Sequence, residues 1–133
     1  MATAKNERRL SVKSPTQQSL KYLRENGYTV QVVEYWNAFA KRRVDLFGII
    51  DIVALHPGQR GAIGIQTTTK NNLNARIKKA QDNDHKEAVN LWLETGNKLF
   101  FHGWEKKKRK GIRKLWTLKE VEMTEEGLLG REI

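Results

Sequence analysis

Two apolar segments, Ile49 to Leu55 and Ala62 to Thr68, constrain the fold of this chain more than any other feature. Their β-branched residues predict two strands, and the HPGQRG sequence between them predicts a tight turn. Short connections of this kind join antiparallel neighbours. Each strand nevertheless has a polar residue near its centre, Asp51 in the first and Gln66 in the second. Because a buried, unpaired charge is very costly, Asp51 must be exposed, paired or bound to a metal ion.

Strand alternation gives these two polar residues a specific relation to each other. Successive strand residues face opposite sides of a sheet, so Asp51 can lie beside Gln66 if the two strands pair. Two interpretations of Asp51 remain open. It can be a structural residue at a strand end that accepts hydrogen bonds from nearby backbone N–H groups, or it can contribute to a metal site.

The flanking segments predict an α/β fold with the element order α-β-β-β-α-β-β. The SPTQ sequence at residues 14–17 has the features of a helix start, with Ser14 as the N-cap and Pro15 in the first turn, and the helix ends at Gly27. Residues 28–36 are aromatic and β-branched and predict a strand. Residues 37–48 form a basic connector to the central strand pair.

The second half of the chain predicts a helical region followed by a hairpin. Residues 71–94 have a helical apolar pattern, and Asp84 with Glu87 has capping-box spacing, so a break is expected near Asn83. Residues 98–104 and 112–121 then form a closing hairpin. We therefore expect a single domain over residues 14–123, a mixed β-sheet flanked by helices, with a flexible basic arm at 1–13 and a poorly ordered tail at 124–133.

Charge is the main compositional signal. The chain has 25 Lys+Arg against 15 Asp+Glu, a formal net charge of +10, which favours a polyanionic partner. No apolar run approaches the roughly 20 residues of a transmembrane helix, so no membrane partner is expected. With no cysteine, disulfides and thiolate zinc sites are excluded. These features predict a cytoplasmic protein that binds DNA, although the charge permits RNA equally.

Three basic clusters are candidates for contacts with nucleic-acid phosphates, and each also has the simpler interpretation of a solvated face. They are Lys41, Arg42 and Arg43 before the central strands; Arg76, Lys78 and Lys79 on the following helix; and Lys106, Lys107, Lys108, Arg109 and Lys110 at the hairpin tip. Three tryptophans, Trp36, Trp104 and Trp116, are predicted to be core residues rather than base-stacking groups.

The motif GIIDIVAL…GAIGIQTTTK resembles the core of the PD-(D/E)xK nuclease superfamily, especially its Holliday-junction-resolvase and restriction-endonuclease-like branches. The likeness spans roughly residues 14 to 100. Glu34 matches the upstream acid, Asp51 the motif aspartate, and residues 66–68 the acid-x-lysine triplet. The chain is also similar to small phage-type proteins in which a DLFG…D sequence precedes a Q-x-T strand.

The resemblance implies a restriction-endonuclease-like fold, Mg²⁺- or Mn²⁺-dependent hydrolysis of phosphodiesters, and a homodimer. Glu34, Asp51 and Gln66 would be the metal ligands. Lys70 lies four residues after Gln66 and would share its face if the strand continued, so it can replace the lysine of the triplet; the alternative is a solvated lysine at a helix start. Asp45 is interpreted as a turn residue that pairs with Arg42 or Arg43.

Two departures from the family pattern leave two functions open. Gln66 stands where the triplet has an acid, and Thr68 stands where it has the lysine. The first function is a Mg²⁺-dependent endonuclease, including a structure-selective one, with Glu34, Asp51, Gln66 and Lys70 as its catalytic residues. The alternative is a non-catalytic nucleic-acid-binding module that has the nuclease fold without its chemistry.

Overall fold

A six-stranded mixed sheet with helices on both faces forms the centre of the computed structural model, which describes residues 14–108 and 114–133. In chain order, the elements are α1 (Pro15–Glu25), β1 (Thr29–Val32), β2 (Tyr35–Asn37), β3 (Arg42–Val44), β4 (Ile52–Leu55), β5 (Ile63–Thr69), a 3₁₀ turn (Lys70–Asn72), α2 (Leu73–Ala80), α3 (Lys86–Glu94), β6 (Lys98–Lys107), β7 (Leu115–Thr124) and β8 (Gly127–Glu132). The predicted α/β class is confirmed.

The strand order of the main sheet is β1-β4-β5-β6-β7-β8, and β2 and β3 form a separate two-stranded hairpin. The β5–β6 pair is parallel, and the other pairs of the main sheet are antiparallel. Helices α2 and α3 make the crossover that a parallel pair requires. The prediction of antiparallel β4 and β5 is therefore confirmed. In the part of the chain that the structure describes, no helix is long and apolar enough to cross a membrane.

The helical region is divided in two near Asn83, as predicted, although the N-cap of α3 is His85, without a side-chain cap, and the predicted Asp84–Glu87 capping box does not form. Helix α2 ends at Ala80 and α3 begins at Lys86, with the Asp82 side chain accepting hydrogen bonds from the N–H groups of Asp84 and His85. The break changes which residues of α3 face the sheet. Val89 is buried and Leu91 is exposed, so the apolar residues of 71–94 do not form one continuous buried face.

Residues 28–48 differ most from the sequence interpretation. The strand predicted over residues 28–36 is two strands, β1 and β2, and the predicted basic connector contains β3, which pairs with β2. The reversal between β2 and β3 is closed by the Asn37 side chain, whose Oδ1 accepts hydrogen bonds from the N–H groups of Phe39 and Ala40. Lys41 follows with a positive φ of 51°.

The C-terminal segment also differs from the prediction of a poorly ordered tail. Residues Gly127–Glu132 form β8, which pairs antiparallel with β7 over six residue pairs from Lys119↔Glu132 to Thr124↔Gly127. Its side chains are exposed, so no apolar periodicity marks it in the sequence. Backbone pairing and a buried carboxylate partner, rather than a core face, hold this edge strand.

That carboxylate belongs to Glu120 and is part of a buried polar chain between α1, β6, β7 and β8. Trp104 Nε1 donates to Ser19 Oγ (2.8 Å), and Ser19 Oγ lies 2.8 Å from His102 Nδ1. His102 Nε2 lies 2.9 Å from Glu120 Oε2, while Arg131 donates to Glu120 Oε1. Ser19 and His102 are fully buried, so this serine–histidine–glutamate order is structural and does not present a nucleophile.

The protonation state of Glu120 should make the stability of the fold depend on pH. Burial raises its pKa, but hydrogen bonds and attraction from His102 and Arg131 outweigh burial, so the pKa lies below its ordinary value of 4.5. A carboxyl with a depressed pKa stabilises the fold above its ordinary pKa. That contribution is lost as the pH falls through the depressed value.

We expect Glu120→Gln to destabilise the fold at pH 7 by about 1–3 kcal/mol, because its amide cannot accept from both His102 and Arg131. Thermal unfolding should show this deficit shrinking as the pH falls below 4.5. The control is Glu126→Gln, an exposed acid in the β7–β8 turn. A deficit that stays constant down to pH 3 would contradict the assigned charge of Glu120.

Candidate metal centre

Three carboxylates meet where the β2–β3 hairpin joins the main sheet. Glu34 lies between β1 and β2, Asp45 directly follows β3, and Asp51 directly precedes β4. One oxygen from each lies within 4.8 Å of the others. The hairpin closes on itself through β2–β3 pairing, and this brings its two ends, and therefore Glu34 and Asp45, together.

Asp51 is the anchored member of this cluster. It is only 4% exposed, and its backbone N–H donates to the Ile65 carbonyl while its own carbonyl accepts from Val33 N. Its Oδ2 accepts from the Thr67 N–H (2.8 Å), the Thr67 hydroxyl (3.2 Å) and Gln66 Nε2 (2.9 Å). The hydrogen bond from the Thr67 N–H is what the structural interpretation of Asp51 predicts. The neighbouring carboxylates are what the metal-site interpretation predicts. The structure contains both features.

Gln66 provides an independent indication of a ligand. It is 2% exposed, and Ile52↔Ile65 pairing places it beside Asp51, as strand alternation predicted. While its Nε2 donates to Asp51, its Oε1 is buried and has no hydrogen-bond partner among the described residues. A buried amide oxygen without a donor costs about 1–3 kcal/mol, so Gln66, which bonds Asp51 through Nε2, has an unfilled need for a hydrogen-bond donor or a cation.

Electrostatics of the cluster point the same way. Burial, a hydrogen bond with the Asp45 side chain and the charges of Asp45 and Glu34 raise the pKa of Asp51 from 3.8 to about 8, against the lowering effect of the Thr67 N–H. A hydrogen bond between two carboxyl groups requires a shared proton. Arg43, 3.7 Å from Glu34, is the one basic side chain of the described residues in an ion pair with the cluster. A divalent cation would supply the missing charge.

The donor set fits a hard divalent ion. Carboxylate and amide oxygens, with water completing the shell, are the ligands that Mg²⁺ and Mn²⁺ take in proteins. Glu34, Asp51 and Gln66 were predicted from the sequence and are brought together here. Asp45 was interpreted as a turn residue paired with arginine, but its carboxylate joins the cluster and Arg43 pairs with Glu34 instead. Asp45 reaches the cluster only because β2 pairs with β3, and no local sequence pattern predicts that pairing.

Lys70 has a different environment from the one its spacing suggested. Strand β5 ends at Thr69, and Lys70 begins the 3₁₀ turn, so the alternation that would place it on the face of Gln66 does not extend to it. Its ammonium forms ion pairs with Glu105 and Glu132, both at 3.4 Å. These two carboxylates hold Lys70 at the β6–β8 side of the sheet.

The basic clusters lie on three separate elements. Lys41, Arg42 and Arg43 are exposed on the hairpin that begins and ends at the carboxylates, whereas Arg76, Lys78 and Lys79 lie on α2 and Lys106, Lys107 and Lys108 end β6 or follow it. Lys106 lies over the Trp116 ring, 5.1 Å from its centroid. Arg109 and Lys110 lie outside the described residues. Trp104 is buried as predicted, but Trp36 is 60% exposed, so its assignment to the core is wrong.

Comparison of this chain with protein-family models, curated proteins and solved structures finds no match. The assignment of the site therefore rests on its own geometry: three carboxylates, a buried amide oxygen without a partner, and a basic hairpin at their side.

The raised pKa of Asp51 makes the stability of the metal-free protein depend on pH. Between 3.8 and about 8 the folded state binds more protons than the unfolded state, so the free energy of unfolding falls as the pH rises through this window. Asp51→Asn removes the titrating group. In chelator, we expect it to raise stability at pH 8 by on the order of 2 kcal/mol relative to wild type, with a smaller gain at pH 5.

The control for this comparison is Asp84→Asn, an exposed carboxylate in the turn between α2 and α3, which should leave the pH profile unchanged. Chemical denaturation at the two pH values measures both variants. An Asp51→Asn protein that is less stable than wild type at pH 8 would show that Asp51 is an ionised structural residue.

Proposed function

We propose that this protein is a Mg²⁺- or Mn²⁺-dependent nuclease that hydrolyses phosphodiesters in DNA. The observation that supports this most strongly is the convergence of the Glu34, Asp45 and Asp51 carboxylates on one point. Gln66, which bonds Asp51 through Nε2, adds a buried Oε1 without a hydrogen-bond partner in the part of the chain that the structure describes. Such a site collects negative charge that a divalent ion would balance. The net charge of +10 supports a polyanionic substrate.

In this proposal each residue has a definite task. A bound ion would supply Lewis acidity toward the phosphate and would lower the pKa of a water ligand. Asp51, held by Thr67 and Gln66, is a fixed ligand, while Glu34 and Asp45 complete the carboxylate set. Gln66 offers a neutral oxygen if its amide turns, since amide oxygen and nitrogen exchange places on a half rotation.

In this proposal a residue of the hairpin replaces the lysine that the family triplet has and this chain lacks. Lys70 is engaged with Glu105 and Glu132, whereas Arg43 brings a guanidinium to the cluster through Glu34. Arginine binds phosphate oxygens in bidentate fashion, so Arg43 is suited to stabilise charge that develops on the phosphate. The exposed Lys41 and Arg42 of the hairpin would then contact the neighbouring phosphates of the DNA backbone.

A non-catalytic nucleic-acid-binding module is the second candidate, and one observation favours it. No lysine of the described chain forms an ion pair with Glu34, Asp45 or Asp51, because Lys70 pairs with Glu105 and Glu132 instead. Binding without cleavage would still use the basic hairpin and would need no metal ion.

Cleavage assays separate the two candidates. We expect wild type to cut plasmid, single-stranded or branched DNA in Mg²⁺ or Mn²⁺, and chelator to abolish the activity. Asp51→Asn should reduce the rate at least about 100-fold while leaving DNA affinity similar or higher, because it removes a negative charge near phosphate. Asp84→Asn should cut like wild type. Wild type that binds DNA but cuts none of these substrates in either metal would leave the binding module as the function.

Substitution of Gln66 tests the ligand set without relying on catalysis. Gln66→Glu adds a carboxylate of almost the same shape, so repulsion should destabilise the metal-free fold, and Mg²⁺ should raise its melting temperature far more than that of wild type. Gln81→Glu, at the exposed end of α2, is the matched control and should gain no such effect. Adding Thr68→Lys to Gln66→Glu restores the family triplet and should increase cleavage. A Gln66→Glu protein that Mg²⁺ does not stabilise would contradict the site.

A further inference from the structure

The β2–β3 hairpin is built directly onto the carboxylate cluster. The chain leaves the cluster at Glu34, runs out along β2, turns at residues 38–41 and returns along β3 to Asp45. Three residue pairs hold the arms together: Tyr35↔Val44, Trp36↔Arg43 and Asn37↔Arg42. At roughly 3.3 Å per strand residue, the turn lies roughly 10 Å beyond the cluster. Anything bound to the hairpin is therefore also placed at the carboxylates.

The hairpin exposes large aromatic side chains to solvent, which is unfavourable unless a partner covers them. Tyr35 and Trp36 are more than half exposed, and Phe39 at the turn is fully exposed. The turn itself is ordered by the Asn37 side chain, which accepts hydrogen bonds from the Phe39 and Ala40 N–H groups, both at 3.0 Å. Several exposed aromatic side chains on one short hairpin mark an interaction site.

The charge of the hairpin identifies the kind of partner. Residues 35–43 contain three basic residues, Lys41, Arg42 and Arg43, and no acidic residue. Trp36 and Arg43 are cross-strand partners, so an aromatic face and a guanidinium lie side by side. Alternating aromatic and cationic groups bind single-stranded nucleic acid, because bases stack on the rings and phosphates pair with the cations.

A second copy of this chain fits the hairpin less well. A symmetric contact would place the same patch of two protomers face to face, and would bring six cations together with only, among the described residues, the Glu34 that pairs with Arg43 in each protomer as a counter-charge. A regular duplex also fits poorly, since its base faces are stacked inside the helix and cannot reach Trp36 or Phe39. Unpaired bases are the ligand that satisfies both the rings and the charges.

We propose that the β2–β3 hairpin binds unpaired bases by stacking on Trp36 and Phe39, with Arg43, the cross-strand partner of Trp36, and Lys41 of the turn on the adjoining phosphates. This rests on the proposed function in one respect: if the carboxylates cleave, the hairpin delivers single strands and the unpaired regions of branched DNA to them. Duplex DNA, which lacks free base faces, is held only through its phosphates.

The experiment measures affinity in chelator, so that binding does not depend on cleavage. Fluorescence anisotropy with labelled oligothymidylate, a duplex and a flap substrate is recorded for wild type, Trp36→Ala, Phe39→Ala and the exposed α3 control Leu91→Ala. Each aromatic substitution should weaken oligothymidylate and flap binding about tenfold, the effect of losing one stacked base. Duplex affinity and all affinities of Leu91→Ala should stay within about twofold of wild type. Trp36→Phe, which keeps a ring, should retain most of the affinity.

Three results would overturn the proposal. One is unchanged oligothymidylate affinity in Phe39→Ala and Trp36→Ala, and another is an equal loss on duplex. The third is a wild-type dimer in sedimentation that Phe39→Ala converts to monomer, because a second copy would then cover the hairpin. Failure of the proposed nuclease function would look different. If wild type cuts no DNA but Phe39→Ala still loses oligothymidylate affinity, the hairpin binds bases and the carboxylates have no catalytic role.

Discussion

The burial of one carboxylate, Asp51, is the constraint on which the rest of the site depends. Its Oδ2 accepts hydrogen bonds from Thr67 and Gln66 of the neighbouring strand. Its backbone N–H donates to Ile65 of β5, and its carbonyl accepts from the N–H of Val33, which follows β1. A charge so deep in a protein is tolerated only with a partner. Without metal, burial and the nearby Asp45 and Glu34 carboxylates raise the pKa of Asp51 and favour its protonated form. A divalent ion would replace that proton and would also give the orphan oxygen of Gln66 a partner.

Much of this arrangement was predictable because it depends on local rules. The turn between β4 and β5 made them antiparallel neighbours, and strand alternation then put Gln66 beside Asp51, as found. The helix cap at Ser14 and the break between α2 and α3 follow equally local signals. Asp45 was misjudged because its place depends on the pairing of β2 with β3, and neither three-residue strand has a buried face that would pattern the sequence. Strand β8 was missed for a related reason: it pairs with the strand directly before it, but all its residues are exposed, so no buried face patterns its sequence.

The β2–β3 hairpin determines both the geometry of the carboxylate cluster and the exposed groups around it. Pairing of β2 with β3 brings Glu34 and Asp45 to Asp51, and the same hairpin displays Trp36, Phe39 and three cations beside them. The features that departed from the sequence interpretation, an exposed tryptophan and a third carboxylate, are thus consequences of one short element. Proteins depart from local rules chiefly at functional sites, where exposed apolar rings and clustered charges carry a cost in stability.

The central claim is that Glu34, Asp45, Asp51 and Gln66 form one divalent-metal site. A crystal of the wild-type protein soaked in Mn²⁺ and measured at the manganese absorption edge tests it most directly. The account predicts one anomalous peak among the three carboxylates, with the Gln66 amide turned so that its oxygen faces the ion at the coordination distance of a hard ligand, about 2.0–2.3 Å. A crystal with no peak there, in which Gln66 Nε2 still donates to Asp51, would contradict it.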